Sequence, residues 1–394
     1  MFYYIVGKGD KVQKIIGFFK KIGLAIVKYV RTTYVALWIV VLMCSVYSFL
    51  LVYSATHSAG SRQLIVQMAA AFIGCTGAVI ISSMDYERLG ELWYLIAIVS
   101  IGLILATLVF GEQVNEFADD RAWLMIFGIS FQPSELVKVG FTVTFSYHLS
   151  ITVKQGHINS IPHILLLIGH ALVPIGLILI QGDTGTAMVF MFMFAVMIFG
   201  SGINWKYILA VILAGLAALP VLWQILPEFQ KKRIRAVYFP QEGDELDSLY
   251  QQTLGRIAYG SGGITGQGWM KGRMVQSGII PEDYNDFIFT VAGEEFGLIG
   301  CTLIILLELA IIILTLHAAL TARDYMGRFM CLGFFAEIAT QAIFNIGMVL
   351  VVLPVIGITL PFFSAGGSSS MCLYFGFGLV LSVYSRKNEV RLRV

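Results

Sequence analysis

The sequence predicts an all-α polytopic membrane protein of about ten transmembrane helices, with both termini cytoplasmic and one long external loop between spans seven and eight. Three observations predict it. Of the 394 residues, 58% are hydrophobic and only 13% charged, against roughly 25% charged in an ordinary soluble domain. Mean hydropathy is +0.82, more apolar side chain than a soluble core can hide. The apolar residues also come in runs of about 18 or more, the length a helix needs to cross a bilayer. The same composition excludes a disordered, collagenous or disulfide-stapled chain. A net charge of +2 gives no reason to expect nucleic acid. All five cysteines (Cys44, Cys75, Cys301, Cys331, Cys372) fall inside apolar runs and read as small hydrophobes rather than ligands.

Ten apolar segments run roughly 34–53, 64–82, 92–110, 135–152, 161–180, 185–200, 205–224, 297–317, 328–352 and 368–384. Backbone groups in lipid must be satisfied within the segment, so these are helices. An even count puts both termini on one side, and the positive-inside bias chooses which. Lys8, Lys11, Lys14, Lys20, Lys21, Lys28 and Arg31 precede the first span; Arg386, Lys387, Arg391 and Arg393 follow the last. Lys154, Lys206, Arg323 and Arg328 belong to the same face, while Glu112, Glu116, Asp119 and Asp120 lie on the other. That division makes the termini cytoplasmic and the 225–286 connection external. Three regions follow: a basic amphipathic segment, 1–33, on the inner membrane surface; a membrane domain, 34–384; and a basic tail, 385–394.

With that orientation each even-numbered span begins at the outer surface, and the polar motifs collect at those ends. Arg62-Gln63 precedes the second span. Gln132-Pro133-Ser134-Glu135, with Lys138 one turn on, opens the fourth. Asp183-Thr184-Gly185 precedes the sixth, Asp286 precedes the eighth, with Glu294-Glu295 either just outside that span or within it, and Ser364-Ala365-Gly366-Gly367-Ser368 opens the tenth. Helix N-termini gathered in one region offer N–H donors and positive potential, which suit a phosphate or pyrophosphate. Each motif also has a plainer reading. Ser134 and Glu135 after a proline make an ordinary helix start, and Glu135 and Lys138 can neutralise each other. Glu308 and Glu337 lie deeper, with no role beyond an interhelical partner.

The external loop carries Lys231, Lys232, Arg233 and Arg235, a cluster suited either to lipid phosphates or to a solvated face. Gly260-Ser261-Gly262-Gly263, with Gly266 and Gly268, has no following Lys-Ser or Lys-Thr and is no nucleotide phosphate loop. Asp286 stands directly before an apolar run, where partial desolvation suits a general base. The six histidines show no metal-ligand spacing.

At these residues the sequence resembles the SEDS family (shape, elongation, division and sporulation), whose members include RodA, FtsW and SpoVE. The likeness covers nearly the whole chain after residue 33. It rests on Gln132-Pro133-Ser134-Glu135 with Lys138, Asp183-Thr184-Gly185-Thr186-Ala187, Gly260-Ser261-Gly262-Gly263, Asp286-Phe287-Ile288-Phe289, Gly293-Glu294-Glu295-Phe296-Gly297 and Leu360-Pro361-Phe362-Phe363-Ser364-Ala365-Gly366-Gly367-Ser368-Ser369. The resemblance implies a peptidoglycan glycosyltransferase that polymerises lipid II beside a class B penicillin-binding protein. It implies Asp286 as the catalytic carboxylate and Arg62, Glu135, Lys138, Asp183, Arg233, Gln251 and Ser364 around the substrate. A divalent cation, Mg or Mn, is the cofactor implied. Departures from the family pattern stand at Ala122, Leu254-Gly255, Gln276, Tyr284-Asn285 and Ala365. A lipid II flippase and a non-enzymatic scaffold for the penicillin-binding protein are the competing expectations.

Overall fold

All ten apolar segments become helices. The computed structural model describes residues 27, 29–57, 60, 62–112, 121–126, 129–241, 244 and 249–388. Most of the basic segment 1–33, the acidic residues Glu116, Asp119 and Asp120, and Arg391 and Arg393 of the tail lie outside those residues. The first spans are α1 (Val35–Thr56), α2 (Arg62–Ser83) and, after a short α3 (Tyr86–Glu91), α4 (Trp93–Phe110). A two-stranded antiparallel hairpin, β1 (Leu124–Ile126) and β2 (Ile129–Phe131), leads into α5 (Pro133–Lys154). There follow α6 (Ile161–Ile180), α7 (Thr184–Gly200) and α8 (Trp205–Ile225).

The long connection is helical rather than irregular, containing α9 (Glu228–Tyr238), α10 (Tyr250–Ser261) and α11 (Arg273–Ser277). The last spans are α12 (Ile288–Leu320), α13 (Tyr325–Val349) and α14 (Gly367–Ser385).

The eighth span departs most from expectation, starting at Ile288 rather than near 297. That turn carries Glu294 and Glu295; the Glu294 carboxylate is satisfied by the loop folded over it, and one oxygen of Glu295 is satisfied too, while Glu295 Oε2 is buried with no hydrogen-bond partner. Glu294 accepts the backbone N–H groups of Met274 and Val275, both at 2.9 Å, at the start of α11. Glu295 accepts the Ser54 hydroxyl at 2.6 Å and the Gln276 amide at 3.1 Å. Gln276, one of the departures from the family pattern, thus ties α1 to α12.

The helix kinks at Gly297 (φ 64°, ψ −158°), where a Cβ would lie 2.4 Å from the Gly266 nitrogen. The glycine-rich stretch docks there chiefly by backbone: Gln267 and Gly268 donate to the carbonyls of Glu294 and Glu295, and Leu298 donates back to Gly263. A Cβ at Gly262 would lie 1.9 Å from the Gly293 carbonyl oxygen. Close backbone approach is the work of these glycines.

The core sits where α2, α5, α12, α13 and α14 meet. The crossing of α2 and α14 is close because their contact residues are small; a Cβ at Gly378 would be 2.9 Å from the Ala78 Cα. At the end opposite the long connection, Arg323 bridges to Glu87 at 3.0 Å, and Arg386 donates to the carbonyls of Ser82 and Ser83 at 3.1 and 2.9 Å.

Candidate active site

The polar helix starts do converge. Helix α12 opens immediately after Asp286, which is half-buried beside the fully buried Phe287, Ile288 and Phe289. The segment carrying Asp286 is held by polar contacts from neighbouring elements. Asn345 on α13 donates one amide N–H to the Asp286 carbonyl at 2.8 Å and the other to the Ile358 carbonyl at 2.7 Å. The Ser364 hydroxyl donates to the Asn285 carbonyl at 2.7 Å, and the Ala365 N–H donates to the Tyr284 carbonyl at 2.8 Å. Gly357, at φ 66°, brings bare backbone so close that an added Cβ would lie 3.7 Å from Asp286 Oδ2.

The same loop joins the other helix starts. A Cβ at Gly185 would lie 2.4 Å from the Ile356 carbonyl oxygen, so the start of α7 abuts the stretch facing Asp286. Gln67 on α2 donates to the Ser364 carbonyl at 3.0 Å and accepts the Gly366 N–H at 3.2 Å and the Ser370 hydroxyl at 3.1 Å. The Gln132 N–H, just before α5, donates to Ser368 Oγ at 3.2 Å. Four helix starts are therefore cross-linked through one loop, 356–370.

Asp183 is the cap of α7, accepting the Thr186 N–H at 2.8 Å, and it also accepts the Gln132 amide at 3.0 Å. Glu135 and Lys138 are both buried and pair at 3.0 Å. Glu337 on α13, read from the sequence only as an interhelical partner, is the third member and lies 3.3 Å from the same ammonium. Lys138 is 0% exposed, so its charge is engaged by two carboxylates.

The other expected residues stand on separate elements. Arg62 is exposed at the first position of α2. Arg233 is half-buried on α9, its guanidinium 5.7 Å above the Phe229 ring. Gln251 is half-buried on α10, whereas its neighbour Gln252 is buried and donates to the Met348 and Leu353 carbonyls at 2.6 and 2.8 Å.

Among the loop groups, burial pushes the Asp283 carboxyl up from its ordinary 3.8 to about 7, with the Glu282 and Glu295 charges adding to the rise. Burial likewise raises the Tyr284 phenol to about 12, helped by Glu282, Asp283 and Asp286. A divalent cation finds no cage: among the described residues no three His, Cys, Asp or Glu side chains stand together as a metal site. Glu135 Oε2 is buried without a hydrogen-bond partner, but its sister oxygen lies beside an ammonium, a poor setting for a second cation.

Ten apolar helices, four of whose starts are tied together through one loop, define a multi-pass membrane protein. The chain belongs to the FtsW, RodA and SpoVE family of cell cycle proteins, whose sequence model matches residues 31–389. It is similar to the peptidoglycan glycosyltransferase MrdB of Escherichia coli strain K12, 31% identical over 352 residues, covering 89% of this chain and 92% of that protein. Its fold is similar to a chain of a peptidoglycan synthase complex described for coordinating polymerization and crosslinking. There the TM-score is 0.76 at 27% identity, over 91% of this chain and 99% of the other. The rod shape determining protein RodA of Thermus thermophilus gives a TM-score of 0.68 at 26% identity, over 91% of this chain and 98% of that one.

Proposed function

We propose that Asp286 is the general base of the peptidoglycan glycosyltransferase activity that family membership gives this chain. In this reading the Asp286 carboxylate takes the proton of the 4-hydroxyl on the acceptor's N-acetylglucosamine. The freed oxygen forms a bond to the anomeric carbon of the donor's N-acetylmuramic acid. The bond from that carbon to the diphosphate breaks, undecaprenyl pyrophosphate leaves with the electron pair, and the configuration inverts. A diphosphate leaves without a proton, so one carboxylate suffices where glycoside hydrolysis needs two. The leaving charge is met by the helix starts around 356–370, with Arg62 and Arg233 supplying cations and Glu135, Lys138, Asp183, Gln251 and Ser364 shaping the surroundings.

The observation that carries this reading is the fixed position of Asp286, whose carbonyl Asn345 grips while Ser364 and Ala365 hold the two residues before it, and which is half-buried rather than sealed. A polyprenol route is supported by α8, whose described side chains include none that is buried. A groove of about 350 Å³ lined by Trp223, Ile234, Arg235, Phe239 and Gln241 stands at the α8–α9 junction.

The charge division across the loops supports a site on the extracytoplasmic side of the bacterial cell membrane. It also supports the plan of one membrane domain, 34–384, between the basic segments 1–33 and 385–394. A class B penicillin-binding protein is the proposed partner, since a similar chain works in a complex that couples polymerization to crosslinking.

Asp286→Asn, purified and given lipid II, should form no glycan while keeping the wild-type thermal unfolding profile. Glycan made at the wild-type rate would remove Asp286 from the mechanism.

A further inference from the structure

We infer that Glu337 is a positioning residue for the transfer reaction, holding the Lys138 ammonium back from the departing diphosphate and setting the charge of the site. This rests on the proposed function above. The geometry begins with Lys138, fully buried on α5 between Glu135, one turn earlier on the same helix, and Glu337 on α13. A lysine facing one carboxylate makes a neutral pair. The second carboxylate gives the trio an excess of negative charge when all three are ionised, in a place where an uncompensated charge is expensive. Capping and helix pairing account for Glu135, which sits in the first turn of α5 three residues before Lys138. Neither accounts for Glu337, which is 2% exposed deep within a span.

The rest of α13 says what Glu337 is connected to. Glu337, Gln341 and Asn345 recur every four residues and share one helix face. All three are buried, and Gln341 Oε1 has no hydrogen-bond partner among the described groups. At the top of that face Asn345 holds the Asp286 carbonyl at 2.8 Å; at its base Glu337 holds Lys138 at 3.3 Å. One rigid helix face thus carries both the grip on the candidate base and the restraint on the buried cation. A diphosphate binds best where positive charge is free. A cation held by two carboxylates contributes less field, so product is released rather than trapped.

Neutralising Glu337 should therefore tighten anion binding while slowing turnover. The test uses the full-length chain in lipid vesicles, with lipid II as substrate and inorganic pyrophosphate as the inhibitor. Glu337→Gln should lower both the KM for lipid II and the half-inhibitory pyrophosphate concentration by about tenfold, with kcat falling. Glu337→Asp, which keeps the charge, should return both toward wild type. A purely structural role would lower the folded fraction or kcat without strengthening pyrophosphate inhibition. Unchanged KM and inhibition in Glu337→Gln, with Asp286→Asn inactive, overturns the inference and leaves the proposed function standing. Activity in Asp286→Asn overturns the proposed function instead. If Glu337→Gln does not fold, the Lys138→Met/Glu337→Gln double variant decides, because no ammonium remains to be released. Inhibition no stronger than wild type is expected there, and stronger inhibition overturns the inference.

Discussion

Helices α14 and α8 are both apolar spans, yet they do opposite things. Of the most apolar 18-residue window in α14, 78% is buried inside the protein, and the helix opens with Ser368, Ser369 and Ser370, all buried. Helix α8 buries none of its described side chains and exposes Leu213, Leu216 and Leu219 by more than half. The difference lies in what each helix offers a neighbour. Glycines and serines allow backbones to approach and hydrogen bonds to form, so α14 packs tightly against α2 and anchors the loop carrying Ser364. A helix of leucine and alanine has as good a partner in lipid tails as in protein. The site is built where helices must bind one another, and the lipid-facing side is left to helices that need not.

That contrast can be broken or sharpened by substitution. After Asp286→Asn itself, the largest effect should come from Asn345→Ala, which removes both amide bonds, to Asp286 and to Ile358. A shift of about 1 Å in a reacting group costs roughly a hundredfold, so kcat should fall by that order with the lipid II KM little changed. A variant with normal kcat would show that the packed side does not position the base.

The Asp283 carboxyl should give a smaller effect, visible in stability. Its folded value of about 7 stands above its ordinary 3.8, so between those limits the folded protein holds a proton that the unfolded chain has lost. The contribution is therefore complete at low pH and disappears as pH rises through about 7. Thermal unfolding should move to lower temperature between about pH 4 and pH 7, and Asp283→Asn should flatten that slope. The smallest effect belongs to α8: Leu213→Ala should change unfolding free energy by no more than about 0.5 kcal/mol. A loss of several kcal/mol would mean that α8 is as firmly packed as α14.

Much of this architecture was legible in the sequence because span formation depends on local composition. Apolar runs long enough to cross a bilayer have no better conformation than a helix, so nine of the ten spans begin within a few residues of expectation. The exception is the eighth span, α12, which begins at Ile288 because Glu294 and Glu295 find donors on residues 54 and 274–276. No local pattern announces those partners. The glycine-rich stretch around Gly262 likewise looked like a loop motif and is a docking surface for the kinked helix. Glu337 stood out in the sequence as a carboxylate deep in an apolar span, fit for an interhelical partner. Its partner could not be named, because Lys138 is about 200 residues away in the chain.

By itself the sequence determined that the chain spans a membrane, where its helices lie and which residue types gather at one set of helix ends, since these follow from hydrophobicity and helix periodicity. Tertiary structure alone decided which polar groups pair: Asn345 with the Asp286 backbone, Glu337 with Lys138, Gln67 with the loop before α14. Away from water, each buried donor or acceptor must find a partner wherever the fold supplies one. Those partners come from distant turns brought together only when the helices assemble.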